Sequence, residues 1–129
     1  MSTEPTIYMA SKTAHAPRWR DLRASGFRII STWIDEAGVG ETQCFTDLWR
    51  RCVDEAAGAD ALIVYRQPGE VLKGAFVEVG AALAVGTPVY AIGCDEFSFV
   101  NHAGVTRCPT LAEALAHVTG RAVTLEAAA

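Results

Sequence analysis

Apolar and polar positions fall in blocks along this chain. Short apolar runs rich in β-branched and aromatic residues are separated by stretches with helical spacing. The runs Thr6 to Ala10 (TIYMA), Phe27 to Trp33 (FRIISTW), Ala61 to Tyr65 (ALIVY) and Pro88 to Ile92 (PVYAI) predict strands, with Val105 and Thr106 as a brief fifth. Between them, Pro17 to Ser25 reads as a helix with Pro17 in its first turn. Cys44 to Ala57 is amphipathic, with Phe45, Leu48, Trp49, Cys52 and Val53 at 3–4 spacing. Gly74 to Gly86 is a third helix. Thr110 to Val118 is a fourth, with Thr110 and Glu113 spaced as a capping box.

Strict alternation of strand and helix predicts a parallel sheet joined by right-handed crossovers. The expected fold is a doubly wound, flavodoxin-like (Rossmann-like) α/β/α sandwich of about five strands in the order 2-1-3-4-5. Such sheets take ligands outside the carboxyl ends of their strands, where the order reverses between the first and third. This rule puts Tyr8, Ser11 and Lys12 on the ligand side, together with Trp33 and Asp35. The loop Gln67 to Lys73, with Gly69, Glu70 and Lys73, joins them, as does Gly74 at the start of the third helix. Asp95 to His102 qualify as well. Asp60 precedes its strand and belongs at the opposite edge.

The third helix, GAFVEVGAALAVG, is apolar on nearly every face and carries one charge, Glu78. Carboxylates are rarely buried without a partner, so a single acid among small close-packed residues marks a candidate reactive group. Its place in the second helical turn, near the positive end of the helix dipole, favours the ionised form. Other carboxylates (Asp35, Asp47, Asp54, Glu70) stand nearby in the reading, and paired carboxylates are the tools of glycosidic cleavage.

Composition narrows the alternatives. Half of the 129 residues are apolar, enough for one domain with its own core: 6 to 119, with 120 to 129 as a fraying tail. A net charge of −4 argues against a duplex nucleic-acid partner. No apolar run approaches a membrane span, and the first twelve residues lack the pattern of a signal peptide. The four cysteines form no CxxC and the three histidines are scattered, so free thiols, a cytoplasmic setting and no metal are expected. Dinucleotide and triphosphate-loop motifs are absent, and no cofactor is expected.

IYMAS, STWID, ADALIVY…PGE, and GAFVEVGAALAVGTPVYAIG together resemble the nucleoside 2-deoxyribosyltransferase-like superfamily, which includes nucleoside 5′-monophosphate N-glycosidases. The resemblance runs from residue 6 to about 118. It implies that Glu78, in the step Glu78-Val79-Gly80, is the nucleophile toward the anomeric carbon of a (deoxy)ribose, and that Tyr8 positions it. It implies a small-molecule nucleoside or nucleotide partner and a homodimer or larger homo-oligomer. Asn101 and His102 would lie near a site, in some relatives the neighbour's. Two positions depart from the pattern. Leu72, between Glu70 and Lys73, stands where relatives often carry Asp or Ser. Cys52 stands where they carry a catalytic aspartate, leaving Asp54 or Asp47 as the candidate acid. Tyr8, Trp33, Phe97 and Phe99 are candidates to stack on a base. The expected activity is cleavage or transfer of an N-glycosidic bond through a glycosyl intermediate on Glu78; the alternative is a non-catalytic nucleotide-binding protein on the same scaffold.

Overall fold

The computed structural model describes residues 4–37 and 42–125. Five strands form one parallel sheet: β1 (Thr6–Ala10), β2 (Arg28–Ile29), β3 (Ala61–Tyr65), β4 (Val89–Ile92) and β5 (Val105–Arg107). Their order is β2-β1-β3-β4-β5, the doubly wound arrangement expected from the alternation of elements. The helices are α1 (Ala16–Ala24), α2 (Phe45–Gly58), α3 (Gly74–Ala84) and α4 (Leu111–Thr119). Helices α2 and α3 pack along each other. Right-handed crossovers from an order that reverses at β1 put these two on one face of the sheet and α1 on the other. The end of the tail expected to fray, residues 126–129, lies outside the described residues.

Burial follows the patterning. Ile7, Met9, Leu62, Ile63, Val64 and Val89 are fully buried, as suits strands covered on both faces. The Thr110 hydroxyl accepts from the Glu113 N–H at 3.2 Å, so the side-chain half of the cap forms as the spacing predicts. Asp60 lies at the edge away from the site. Its carboxylate accepts from the Thr6 N–H at 2.8 Å and ties the start of β1 to the start of β3.

One strand is much shorter than expected. Phe27 to Trp33 has strand composition throughout, yet only Arg28–Ile29 pair in the sheet. Past Ile30 the fully buried Ser31 puts its own hydroxyl on the Met9 N–H (3.2 Å), taking the place of a ladder carbonyl. Thr32–Asp35 then winds into a 3-10 turn. Glu55 of α2 accepts from both the N–H and the hydroxyl of Thr32. Side chains that compete with the ladder therefore end the strand early. The turn delivers Trp33 to the site.

Candidate active site

The buried residues of α3 are Ala75, Glu78, Val79 and Ala82. Their spacing is that of one helical stripe, so the single acid lies on the face that meets the sheet. Val77, Gly80 and Ala84 are turned outward, as is Val85 just past the helix. Across from Glu78, the fully buried Tyr8 of β1 donates its hydroxyl to Glu78 Oε2 at 2.5 Å. The Cys52 thiol of α2, also buried, adjoins both groups and bears on their titration. Three elements distant in sequence thus meet on one carboxylate.

Burial dominates the electrostatics. Loss of solvent pushes the Glu78 carboxyl up to about 7. The Tyr8 and Cys52 hydrogen bonds pull it down, and the charge of Glu55 pushes it up further. The ionised form favoured by the helix dipole is therefore opposed by desolvation, and near neutrality the two forms coexist. Burial also carries the Tyr8 phenol far above its ordinary value, with the Glu78 charge adding to the shift. Burial pushes the Cys52 thiol up to about 11. Tyr8 and Cys52 consequently remain protonated at neutral pH.

Glu78 forms the floor of a cavity of about 550 Å³, within the size range of small-molecule sites. The loop after β1 contributes Ser11, Lys12 and Thr13 to its walls. Trp33 enters from the 3-10 turn, and Leu48, Trp49 and Cys52 from α2. Val71, Leu72 and Lys73 come from the loop after β3, with Gly74 and Ala75 from the start of α3. The cavity opens at the carboxyl ends of β1 and β3, where the order reverses.

The residues singled out from sequence divide cleanly. Ser11, Trp33, Lys73, Gly74 and Glu78 line the cavity, and Tyr8 stands behind Glu78. Ser11 Oγ accepts from Trp19 Nε1, and Trp33 Nε1 donates to the Met9 carbonyl, both at 2.9 Å. Gly69 and Glu70 are set back from the cavity lining. The Glu70 carboxylate is engaged by His15 Nε2 and the Gln67 N–H, each at 2.8 Å, so it clamps the loop. Asp47 is held by Arg51 and Arg50, and Asp54 lies on the exposed face of α2. Neither lines the cavity; two residues along a helix turn Asp54 away from the side Cys52 occupies. Asp35 pairs with Arg23 instead.

Asn101 and His102 are bound to Ser98 and Gly104 of their own loop and to Arg107 at the end of β5. Phe97 and Phe99 pack edge-to-face with Phe76 beside a second groove along α3, so neither is a base platform for this cavity. Sequence reasoning missed Trp49. Its 3-residue spacing from Cys52 marked it as core, but it is 40% exposed at the cavity wall. The readable signal was an apolar face of α2 too wide for one core, with Phe45 also exposed.

Among the described residues, no cluster of His, Cys, Asp and Glu is placed to hold a metal, and no helix is long and apolar enough to cross a membrane. No protein-family model matches the chain, and no curated protein does. Among solved structures, the CMP N-glycosidase BcmB of Clostridium botulinum is similar, with a TM-score of 0.50 and 18% identity over 80% of this chain and 86% of that one. At that identity the likeness speaks for the fold. The chain shares with that structure the doubly wound parallel α/β fold expected from its sequence.

Proposed function

We propose that the protein cleaves or transfers the N-glycosidic bond of a nucleoside or nucleoside monophosphate. The observation that carries this reading is a buried carboxylate, hydrogen-bonded by a buried tyrosine, at the floor of a ligand-sized cavity on this fold. The ionised Glu78 attacks C1′ of the sugar. A carbon–oxygen bond forms as the C1′–N bond breaks, and the base departs with the electron pair and takes a proton from water. Water (hydrolysis) or a second base (transfer) then attacks C1′ from the opposite face. The glycosyl ester breaks and Glu78 returns as a carboxylate. Tyr8 holds the attacking carboxylate in place throughout. Lys12 and Lys73 at the cavity wall supply the cationic surroundings that a 5′-phosphate needs.

Cys52 supports a second reading, a nucleotide-binding protein without turnover, because it stands where the resemblance expects an acid. A panel of nucleosides and their monophosphates, scored for free base by chromatography, separates the two. Free base from any member supports the enzyme. Saturable binding with no base release from the whole panel sinks it.

The raised carboxyl of Glu78 sets the pH dependence. Only the ionised form attacks, so kcat/KM should climb with pH along an acid limb centred near 7. Tyr8→Phe removes a bond that lowers this value. The limb should move to higher pH, and activity at pH 7 should fall roughly tenfold to a hundredfold. A pH–rate profile that keeps its limb in the phenylalanine variant would contradict the pairing.

We propose further that two copies pair through the outer side of α3. Val77 and Val85 are exposed on the helix and just past its end, and Phe76, Leu83, Phe97 and Phe99 line a groove along it. Two-fold pairing buries such a patch on both copies at once. Light scattering at micromolar concentration should give a multiple of the chain mass; a clean monomer would end the idea. The loop with Asn101 and His102 borders this groove, since His102 and Leu83 both flank Gly104. Mixing Glu78→Ala subunits with Asn101→Ala, His102→Ala subunits should restore some activity if that loop serves the neighbour's site.

A further inference from the structure

Trp49 is an unusual tryptophan for a helix that covers a core. Its ring lines the cavity and is 40% exposed. Its neighbour in the cavity lining is Gly74, the first residue of α3. A Cβ added at Gly74 would stand 2.9 Å from Trp49 Cη2, with two more indole atoms inside 4 Å. Any side chain at residue 74 would therefore push the indole away, and glycine is what lets it rest over the first turn of α3.

Trp33, which also lines the cavity, is nearly buried and pinned through its Nε1 to the Met9 carbonyl. The third tryptophan, Trp19, is fully buried. The cavity thus has a fixed indole on one wall and a solvent-exposed indole on another. Leu48, Val71 and Leu72 supply apolar surface between them.

We propose that Trp49 is the stacking platform for the planar base of the ligand, and that Gly74 sets its position. This inference rests on the nucleoside or nucleotide reading of the site. An exposed indole gives a base a flat apolar surface at little entropic cost, and stacking on it tolerates any base because each has a π-face. Trp49 then governs affinity, while Glu78 and Tyr8 govern the bond-breaking step. Truncation at Trp49 should raise KM more than it lowers kcat.

The test uses cytidine and adenosine 5′-monophosphates as probes. In the wild type, either probe should quench part of the tryptophan fluorescence. In Trp49→Phe the quench should shrink sharply while binding, followed by calorimetry, stays within a few-fold. Trp49→Ala should weaken binding by about tenfold or more. Gly74→Ala should weaken binding in the wild type yet add little in the Trp49→Ala background, because its effect acts through the indole. Circular dichroism of each variant reports whether the fold is intact. Unchanged affinity in a folded Trp49→Ala protein overturns the platform. So does an additive loss in the double variant, which would make Gly74 act independently of the indole. A wild type that neither binds nor cleaves either probe overturns both this inference and the reading beneath it, and that silence is distinct from a failure confined to the variants.

Discussion

Glu78→Gln should lose base release by at least about a thousandfold while gaining stability above neutral pH. The first half follows from the chemistry. A glutamine cannot form the glycosyl ester, and loss of a nucleophile costs orders of magnitude. The second half follows from burial. The carboxyl sits at about 7 in the folded protein against 4.5 for the free group, so folding takes up a proton between those values. Its contribution to stability is complete below about 4.5 and is lost as pH rises through about 7. Above that, the buried charge costs on the order of 3 kcal/mol. Glutamine keeps the shape and the acceptor for Tyr8 without the charge. Urea melts of the two proteins at pH 4 and pH 8 should coincide at the lower pH and separate at the higher, with the inactive variant the stronger. Retained base release at a few per cent of wild type would remove Glu78 from the mechanism. Equal stability at both pH values would show that the charge is better solvated than its burial implies.

Gly93→Ala should cost about 3 kcal/mol or more, one of the largest effects available from a single added methyl group. Gly93 ends β4 at φ +74°, in the left-handed region where a side chain is already strained. A Cβ there would come within 2.0 Å of the Arg66 carbonyl oxygen and 3.1 Å of its carbon. Those are backbone atoms at the end of β3, tied to β4 by the Arg66 N–H to Ile92 carbonyl bond of 3.0 Å. The Arg66 side chain also returns to the Gly93 carbonyl at 3.1 Å and pairs with Glu96. No flexible group is available to give way. The thermal midpoint should drop by about 10 °C or more; a variant melting within about 2 °C of wild type would refute the contact.

The architecture was legible because the strands are apolar runs buried on both sides and the helices have caps or terminators at their ends. Tyr8 and Glu78 were legible for another reason: topology alone brings the carboxyl side of β1 opposite the first turns of α3. What escaped the sequence were choices between equivalent atoms. Phe27 to Trp33 has the composition of a full strand, and nothing in that composition says that the Ser31 hydroxyl replaces a carbonyl on the Met9 N–H. Asp47 and Asp54 look like acids near a site, but one helical position decides between the cavity and solvent. At that position the cavity has the thiol of Cys52. Phe97 and Phe99 sit in a ligand-side loop, yet their best packing is with Phe76, away from the cavity. Trp49 was hidden because cavity-wall surface and core surface have the same hydrophobic signature until exposure is known.

The floor and walls of the cavity differ in how they are attached to the rest of the molecule. Tyr8 belongs to β1, which is paired on both sides by β2 and β3. Trp49 and the Val71–Lys73 segment stand on an exposed helix face and a loop held by a few polar contacts, including Arg66 Nε to the Glu70 carbonyl at 2.7 Å. Amide exchange should therefore be slowest under the floor, requiring near-global opening, and much faster along the walls. A ligand can enter by a local excursion of the walls while the Tyr8–Glu78 pair stays assembled, so the geometry of the buried carboxylate is kept while the cavity around it opens and closes.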